Sequence, residues 1–207
     1  MAQQTMWMFS DLPEGVIEGL ESSLSKFDPQ MEDSTVFGRA YKPEVRNSQN
    51  AWIPAQHWIA GFIWHYVNVA NRENFQYDIS HIDGQSIQYT RYGVGQYYNW
   101  HQDAGIATAS EAPLDLVDKT EIYNSYLERK TEEIRKLSVI VQLSNPEDYE
   151  GGNVQFMTED GSNTTYFAPR QRGTVIVFDS RAKHRVLKIK KGIRKSLVAW
   201  CMGPRWK

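Results

Sequence analysis

Two stretches in the first third of the chain have the hydrophobic spacing of helices. In residues 13–27, apolar side chains follow Pro13, which suits a first helical turn, and recur every three or four positions: Val16, Ile17, Leu20, Leu24 and Phe27. Residues 56–75 repeat this pattern on a broader apolar face that contains one isolated glycine, Gly61. The pattern predicts two helices, whereas the polar residues 28–51 between them predict turns and a short strand near residues 36–40.

From Tyr77 onwards the chain changes to short segments rich in β-branched and aromatic residues, which are separated by Gly, Asn and Asp. Eight segments predict strands: Tyr77–His81, Ser86–Tyr92, Leu137–Leu143, Asn153–Met157, Thr164–Phe167, Thr174–Phe178, His184–Lys188 and Lys195–Cys201. Such spacing is typical of a sandwich or barrel. Residues 104–134 interrupt the series with a charged, partly helical insertion, for which a substrate lid and a solvated loop both remain open.

Composition narrows the class of protein. The 207 residues suit one domain, with a helical part at about 1–75 and a β-rich part at about 76–203. A net charge of -2 gives no overall basic surface for nucleic acid or membranes. The single cysteine, Cys201, indicates a reducing compartment, and no apolar run approaches the roughly 20 residues of a membrane span. The first residues also lack a signal peptide, so we expect a soluble, cytoplasmic protein.

Three residues suggest a metal centre. His101 and Asp103 are two positions apart at the end of the run YGVGQYYNWHQD, so both project from the same face if the segment is extended. His184 begins a later predicted strand. Each residue alone is more often a surface or hydrogen-bonded group, but two imidazoles and one carboxylate together suit divalent iron and leave coordination positions open. We assign His57, His65 and His81 to surface or packing roles.

Arg194 lies ten residues beyond His184 and begins an alternating series, Arg194, Ser196, Val198 and Trp200, that shares one face of a strand. The lysines before it flank Gly192, as expected of an exposed hairpin turn. A buried arginine requires an anionic partner, and a dicarboxylic co-substrate would supply one through paired hydrogen bonds. The alternative is that Arg194 belongs to a solvated basic run.

These residues occur in an order that resembles the prolyl 4-hydroxylase branch of the 2-oxoglutarate/Fe(II) dioxygenases, and most closely its small bacterial and phage members. The resemblance covers residues 89–200, with a weaker likeness at 46–53. It is carried by YGVGQYYNWHQD, by LSVIVQLSNPEDYEGG and by His184, Arg194 and Trp200. It implies a mainly β fold with flanking helices, in which the core is a double-stranded β-helix (jelly roll) and the N-terminal helices pack on one sheet.

The resemblance also implies a role for each residue. His101, Asp103 and His184 match the iron ligands, and Arg194 matches the residue that binds the C5 carboxylate of 2-oxoglutarate. Three further residues are expected at the co-substrate pocket: Tyr92, Tyr98 and Gln142. Gln142 departs from the tyrosine found there in some relatives. Gly151 and Gly152 match paired glycines that shape the backbone. Trp200 is expected to line the cavity or to pack, and packing is the preferred interpretation.

The implied function is an oxygenase that couples decarboxylation of 2-oxoglutarate to hydroxylation of a C–H bond. The expected cofactors are Fe(II), 2-oxoglutarate and O2, with L-ascorbate as an optional reductant, and the expected substrate is a prolyl residue in a peptide or protein. Two alternatives stay open. One is oxidative demethylation or hydroxylation of nucleic acid through a local basic patch at 183–195, and the other is a non-catalytic jelly-roll binding module.

Overall fold

The structure is a computed structural model that describes residues 5–34, 42–83, 87–104, 133–158, 162 and 164–206. The strand expected near 36–40 and nearly all of the 104–134 insertion lie outside these residues. The described strands, in chain order, are β1 (Met6–Phe9), β2 (Glu32–Asp33), β3 (Arg46–Asn47), β4 (Gln49–Ile53), β5 (His81–Ile82), β6 (Ile87–Tyr92), β7 (Tyr97–His101), β8 (Glu133–Gln142), β9 (Tyr149–Gly151), β10 (Val154–Met157), β11 (Thr165–Phe167), β12 (Val175–Asp179), β13 (His184–Val186), β14 (Ile189–Gly192) and β15 (Arg194–Pro204).

Both predicted helices are confirmed. The first, α1, spans Glu14–Ser25, and the second, α2, spans Trp58–Ala70 and continues as a π-helical turn over Asn71–Phe75. Short 3-10 turns cover Asp28–Gln30 and Pro146–Asp148. None of the helices in the described ranges has the length and apolar character needed to cross a bilayer.

Two antiparallel sheets form the β-rich part of the described chain. The large sheet has the order β1-β12-β8-β15-β6-β4-β2, with β5 paired to β15, and the small sheet has the order β11-β10-β13-β7-β3. A separate pair is formed by β14 and β9. The two sheets face each other, as expected of the double-stranded β-helix, and the His101 and His184 strands belong to the small sheet while Arg194 belongs to the large one.

The large sheet is buried on both faces, which explains why β8 and β12 read as continuous apolar runs. One face packs against α1 and α2, through residues such as Leu20, Ile63 and Val139. The other faces the small sheet, where Ile140, Phe156 and Phe178 form a second core. The predicted packing of the N-terminal helices on one sheet is therefore confirmed.

The structure differs from the sequence predictions in several places, and β1 and β7 fall outside the eight predicted segments. Of the segment predicted as Tyr77–His81, only His81 is extended, in a two-residue strand with Ile82. Strands β2 and β3 lie within residues 28–51, where polar side chains had indicated turns, and β4 begins there. The exposed lysines around Gly192 do not belong to a hairpin, because β14 pairs with β9 whereas β15 pairs with β6 and β8.

Candidate metal centre and adjoining cavity

His101, Asp103 and His184 converge at one point of the small sheet. His101 and His184 are directly opposite each other in the pairing of β7 with β13. This pairing brings together two residues that are 83 positions apart in sequence. The Nε2 atom of His101 lies 3.6 Å from one carboxylate oxygen of Asp103, and the Nε2 atom of His184 lies 3.7 Å from the other. One donor atom from each residue lies within 4.8 Å of the others, a separation that can hold a metal ion.

Backbone carbonyls fix the orientation of both imidazoles. The Nδ1 atom of His101 lies 2.8 Å from the Asn99 carbonyl, and that of His184 lies 3.0 Å from the Ala182 carbonyl. A carbonyl only accepts, so each Nδ1 donates its hydrogen and each Nε2 lone pair is directed at the centre. This arrangement fits a divalent metal, because both rings present the unprotonated nitrogen that coordination requires.

Charge in the centre also suits a metal. Burial, together with the neighbouring His184 ring, lowers the pKa of His101 to about 3, so the His101 ring is neutral at pH 7. Burial acts to raise the pKa of Asp103, but His184 and His101 outweigh it and the pKa lies below its usual range. The resulting set of imidazole and carboxylate donors matches the ligands that Fe(II) accepts in facial triads.

Aromatic rings pack against the two imidazoles. The Tyr98 ring stacks on His101 with a centroid separation of 3.5 Å, and Phe178 contacts the edge of His184 at 4.8 Å. Phe156 lies nearly parallel to the His184 ring at 5.5 Å. These contacts restrict ring rotation, so packing and the carbonyl hydrogen bonds together set the orientation of the two imidazoles.

Arg194 lies in the same cavity, on the large sheet. It is 2% exposed, and all four members of its alternating series line the cavity with the three candidate ligands. Its Nη2 donates to Gln142 Oε1 at 2.8 Å, its Nη1 makes a long 3.4 Å contact with Ser196, and its Nε has no partner. No carboxylate of the described residues forms an ion pair with it.

A buried guanidinium with only neutral partners fits an anionic ligand. Burial lowers the pKa of Arg194, although arginine stays protonated in proteins, and a carboxylate would restore the lost solvation. A carboxylate could accept a hydrogen bond from the buried Nε, which has no partner among the described residues. The cavity therefore combines a place for a metal with a place for the far end of a dicarboxylate.

The three residues expected beside Arg194 take different positions. Tyr92 lines the cavity, and its ring centre is 5.8 Å from the guanidinium carbon. Tyr98 also lines the cavity, beneath His101. Gln142 accepts the Arg194 hydrogen bond and donates to the Pro169 carbonyl at 3.0 Å, so it supports the guanidinium. Trp200 is 6% exposed and lines the cavity as well, which is the less favoured of the two roles expected for it.

Sequence reasoning missed Arg46, a second buried guanidinium in the cavity wall. Its Nη2 donates to Gln88 Oε1 at 3.0 Å and its Nε donates to Ser48 at 3.0 Å, while its guanidinium lies 5.0 Å from the Tyr98 ring centre. The only signal in the sequence was the weak family likeness at 46–53, because the surrounding polar residues indicated turns. Arg46 bridges the two sheets, since β3 belongs to the small sheet and Gln88 to the large one.

Comparisons with known proteins agree with this geometry. A family model described as the 2OG-Fe(II) oxygenase superfamily matches residues 87–202, more than half of the chain. A PKHD-type hydroxylase from Shewanella frigidimarina (strain NCIMB 400) is 26% identical over 112 residues, which cover 54% of this chain and 41% of that protein. The match thus spans less than half the length of this relative.

Solved structures share the fold at low identity. A Pseudomonas putida prolyl-4-hydroxylase has a TM-score of 0.67 at 18% identity, with 97% of this chain and 93% of that chain covered. A Trichoplax adhaerens prolyl hydroxylase in complex with a hypoxia inducible factor peptide fragment has a TM-score of 0.70 at 12% identity, with 96% and 84% covered. A viral collagen prolyl hydroxylase from Paramecium Bursaria Chlorella virus-1 has a TM-score of 0.62 at 19% identity, with 97% of each chain covered.

These likenesses establish the fold, and the family model covers the strands that carry His101, His184 and Arg194. Members of this family use Fe(II), 2-oxoglutarate and O2, and the donor set and the unpaired guanidinium described above fit the first two. The chain therefore belongs to the 2OG-Fe(II) oxygenase superfamily and carries an oxygenase domain of the 2-oxoglutarate- and Fe(II)-dependent class.

Proposed function

We propose that this protein is a dioxygenase that hydroxylates a prolyl residue in a peptide or protein, with decarboxylation of 2-oxoglutarate to succinate. One observation carries the oxygenase half of the proposal. A His-Asp-His cluster and a buried guanidinium without a carboxylate partner line a single cavity. A metal and a dicarboxylate would each satisfy one of these two groups.

In this proposal His101, Asp103 and His184 would hold Fe(II) through their two Nε2 atoms and the carboxylate. When bound, iron and 2-oxoglutarate supply the oxidation, in which O2 is consumed, succinate and CO2 are released and a substrate C–H gains a hydroxyl group. The protein itself orients the reactants and keeps the reacting region largely out of water.

Arg194 is assigned to the C5 carboxylate of 2-oxoglutarate, which places the other end of the molecule towards the metal. Gln142 keeps the guanidinium in place through its 2.8 Å hydrogen bond, and Tyr92 forms the wall beside it. A tyrosine at position 142 would donate to a carboxylate directly. Gln142 instead accepts from Arg194, which leaves the guanidinium as the main charged contact.

The prolyl substrate is supported by the relatives and by the cavity wall. The three structures above are described as prolyl hydroxylases, one of them in complex with a peptide fragment. Tyr98 and Trp200 add aromatic side chains to the wall of this cavity, and mostly apolar walls with a few polar groups are typical of ligand sites. We place the activity in the cytoplasm, because the one cysteine, Cys201, is buried and free, as in reducing compartments.

The test is aerobic incubation with Fe(II), 2-oxoglutarate, L-ascorbate and a panel of proline-rich peptides, with peptide mass and succinate measured together. We expect one peptide to gain the mass of one oxygen atom in proportion to the succinate released. Oxygen gain on a residue other than proline would overturn the prolyl assignment while keeping the oxygenase. Absence of iron binding and of succinate under all conditions would overturn both.

A further inference from the structure

The segment that carries Asp103 is fastened to the turn that follows β12. The backbone N–H groups of Asp103 and Ala104 both donate to the Ser180 carbonyl, at 2.9 and 2.8 Å. The Gln102 side-chain amide donates to the Arg181 carbonyl. Three consecutive residues around the candidate ligand thus depend on two carbonyls of one turn, so a shift of residues 180–181 would move Asp103.

An ion-paired cluster holds that turn. The Asp179 carboxylate accepts hydrogen bonds from the Arg181 backbone N–H at 2.8 Å, from the Arg181 side chain and from the Tyr77 hydroxyl at 2.6 Å. The Ser180 N–H donates to the Lys136 carbonyl at 3.1 Å, which ties the turn to β8 as well. The position of the Ser180 carbonyl, which binds Asp103, therefore depends on the backbones of Arg181 and Lys136.

The indole of Trp206 lies between the side chains of those same two residues. The Lys136 ammonium is 3.4 Å from the indole ring centre, and the Arg181 guanidinium carbon is 4.1 Å from it. The Tyr77 ring meets the indole edge-on at a centroid separation of 4.6 Å. Trp206 is 37% exposed, so one part of the ring is buried against this cluster.

We propose that Trp206 is a positioning residue for the metal-binding carboxylate of Asp103. The inference rests on the proposed role of Asp103 as an iron ligand. The indole stabilises the side chains of Arg181 and Lys136 by cation–π attraction, and their backbones fix the 180–181 carbonyls. Those carbonyls set the position of Asp103 relative to His101 and His184, so Trp206 acts on the metal centre without touching it.

The expected size of the effect follows from outer-shell interactions at metal sites. Loss of an outer-shell partner weakens metal affinity by about 10- to 100-fold, and Trp206 acts one contact further out. We therefore expect Trp206→Ala to weaken metal binding by about tenfold, at the lower end of that range. Trp206→Phe keeps an aromatic face between the two cations, so metal affinity should return to within about twofold of the wild type.

The test uses the full-length protein and measures Mn(II) affinity from the electron paramagnetic resonance signal of the free ion. Wild type, Trp206→Ala and Trp206→Phe are compared, together with Trp58→Ala as a matched control. Trp58 is 48% exposed on α2 and donates to Ser23, remote from the 180–181 turn. Thermal unfolding of each metal-free protein shows whether a variant has lost its fold.

Among the three variants, we expect weaker Mn(II) binding only in Trp206→Ala. The same variant should have a raised KM for Fe(II) and, at saturating iron, a kcat close to that of the wild type. The proposal is overturned if Trp206→Ala binds Mn(II) as tightly as the wild type, or if Trp58→Ala loses as much affinity. If Trp206→Ala does not fold, Trp206→Leu replaces it, since leucine keeps apolar bulk but offers no aromatic face to the two cations; unchanged affinity there is equally negative. A wild type that binds no Mn(II) overturns the site assignment and this inference together.

Discussion

At the scale of single residues, two buried guanidinium groups face one cavity but differ in their surroundings. Arg46 donates to Gln88 and Ser48 and lies over the Tyr98 ring, so two of its nitrogens have firm partners. Arg194 has one firm partner, Gln142, and a buried Nε without any. A buried cation left this incomplete is stabilised most by an anion, which makes Arg194 the better carboxylate anchor of the two.

Replacing Arg194 by alanine should therefore weaken 2-oxoglutarate binding selectively. Loss of one buried, charge-assisted partner costs about 2–5 kcal/mol, or about 30- to 4000-fold in affinity. Arg194→Lys should recover only part of this, because lysine lacks the forked donor geometry. The measurement is 2-oxoglutarate titration of the metal-loaded protein. Lys195→Ala, on the opposite face of β15, is the control, and an unchanged dissociation constant in Arg194→Ala would point to another anchor such as Arg46.

His101→Ala should abolish iron binding and succinate release, since the cluster would keep only two of its three donors. The same substitution at His65, which is exposed on α2, should leave both unchanged. Isothermal titration with Fe(II) under anaerobic conditions and a succinate assay check the pair. Wild-type turnover in both variants would remove His101 from the set of ligands.

At the scale of elements, β15 shows how one strand serves both the core and the site. Leu197, Ala199 and Cys201 pack in the core cluster that contains α1 and α2, while Arg194 and Ser196 face the cavity. The turn between β9 and β10 matters too, because Gly152 in that turn lies against Arg194. Its φ is +63°, and a Cβ there would come within 2.3 Å of the Ile189 side chain and 3.3 Å of Arg194 Cδ.

Gly152→Ala should displace Arg194 as well as strain the backbone. Left-handed backbone costs a residue with a Cβ about 1–2 kcal/mol, and crowding against Ile189 adds to that cost. Gly95→Ala is the matched control, because Gly95 has φ +85° but no atom within 4 Å of the added Cβ. Urea unfolding should show a loss of stability in both variants, whereas only Gly152→Ala should bind 2-oxoglutarate more weakly. Equal affinities in the two variants would show that crowding at Arg194 does not matter.

The sequence predicted elements well where pattern and burial agree. Alternation placed Arg194, Ser196, Val198 and Trp200 on one face of β15, and all four line the cavity. The sequence pattern failed to predict strands whose place depends on their pairing partners. Arg46 in β3 and Asn50 in β4 are buried, although polar side chains such as these predict exposed positions. The run IKKGIRK has hairpin composition, but β14 finds its partner in β9, a choice set by tertiary packing.

The site shows the same division. The spacing of His101 and Asp103 and the order of the motifs were enough to nominate the triad, which the pairing of β7 with β13 brings together. Arg46, the Ser180 carbonyl and Trp206 could not be nominated, because their importance lies in contacts between residues far apart in sequence. Such contacts leave no local periodicity to detect.

At the scale of the whole molecule, the two faces of the large sheet have different roles. Its outer face packs on α1 and α2 and forms the larger apolar core, while its inner face looks across the cavity to the small sheet. The core against the helices and the cavity with the candidate metal centre therefore lie on opposite faces of β8 and β12, and the second apolar core shares the inner face with that cavity. The end of β12 links the core to the candidate metal centre. Asp179 there is 5% exposed, accepts a hydrogen bond from Tyr77 and holds the 180–181 turn, whose Ser180 carbonyl binds Asp103.

That position makes the stability of the protein sensitive to acid through Asp179. Burial disfavours the Asp179 carboxylate, but hydrogen bonds from Arg181 and Tyr77 outweigh it, so its pKa lies below the usual value. The unfolded chain binds a proton at higher pH than the native protein does. The ionised carboxylate thus stabilises the fold above the unfolded pKa of about 3.9, and this contribution disappears as the pH falls through the native pKa.

Asp179→Asn should accordingly lower the free energy of unfolding at pH 7 by about 1–3 kcal/mol, the cost of leaving buried partners poorly paired. The difference from the wild type should shrink steadily as the pH falls below about 4, because the wild-type carboxyl then becomes neutral as well. Urea unfolding across this range gives the two curves, with Glu18→Gln on the exposed face of α1 accounting for the general effect of removing a charge. A constant difference at every pH would mean that Asp179 acts through shape alone, since only its ionised form can couple stability to protons in this way.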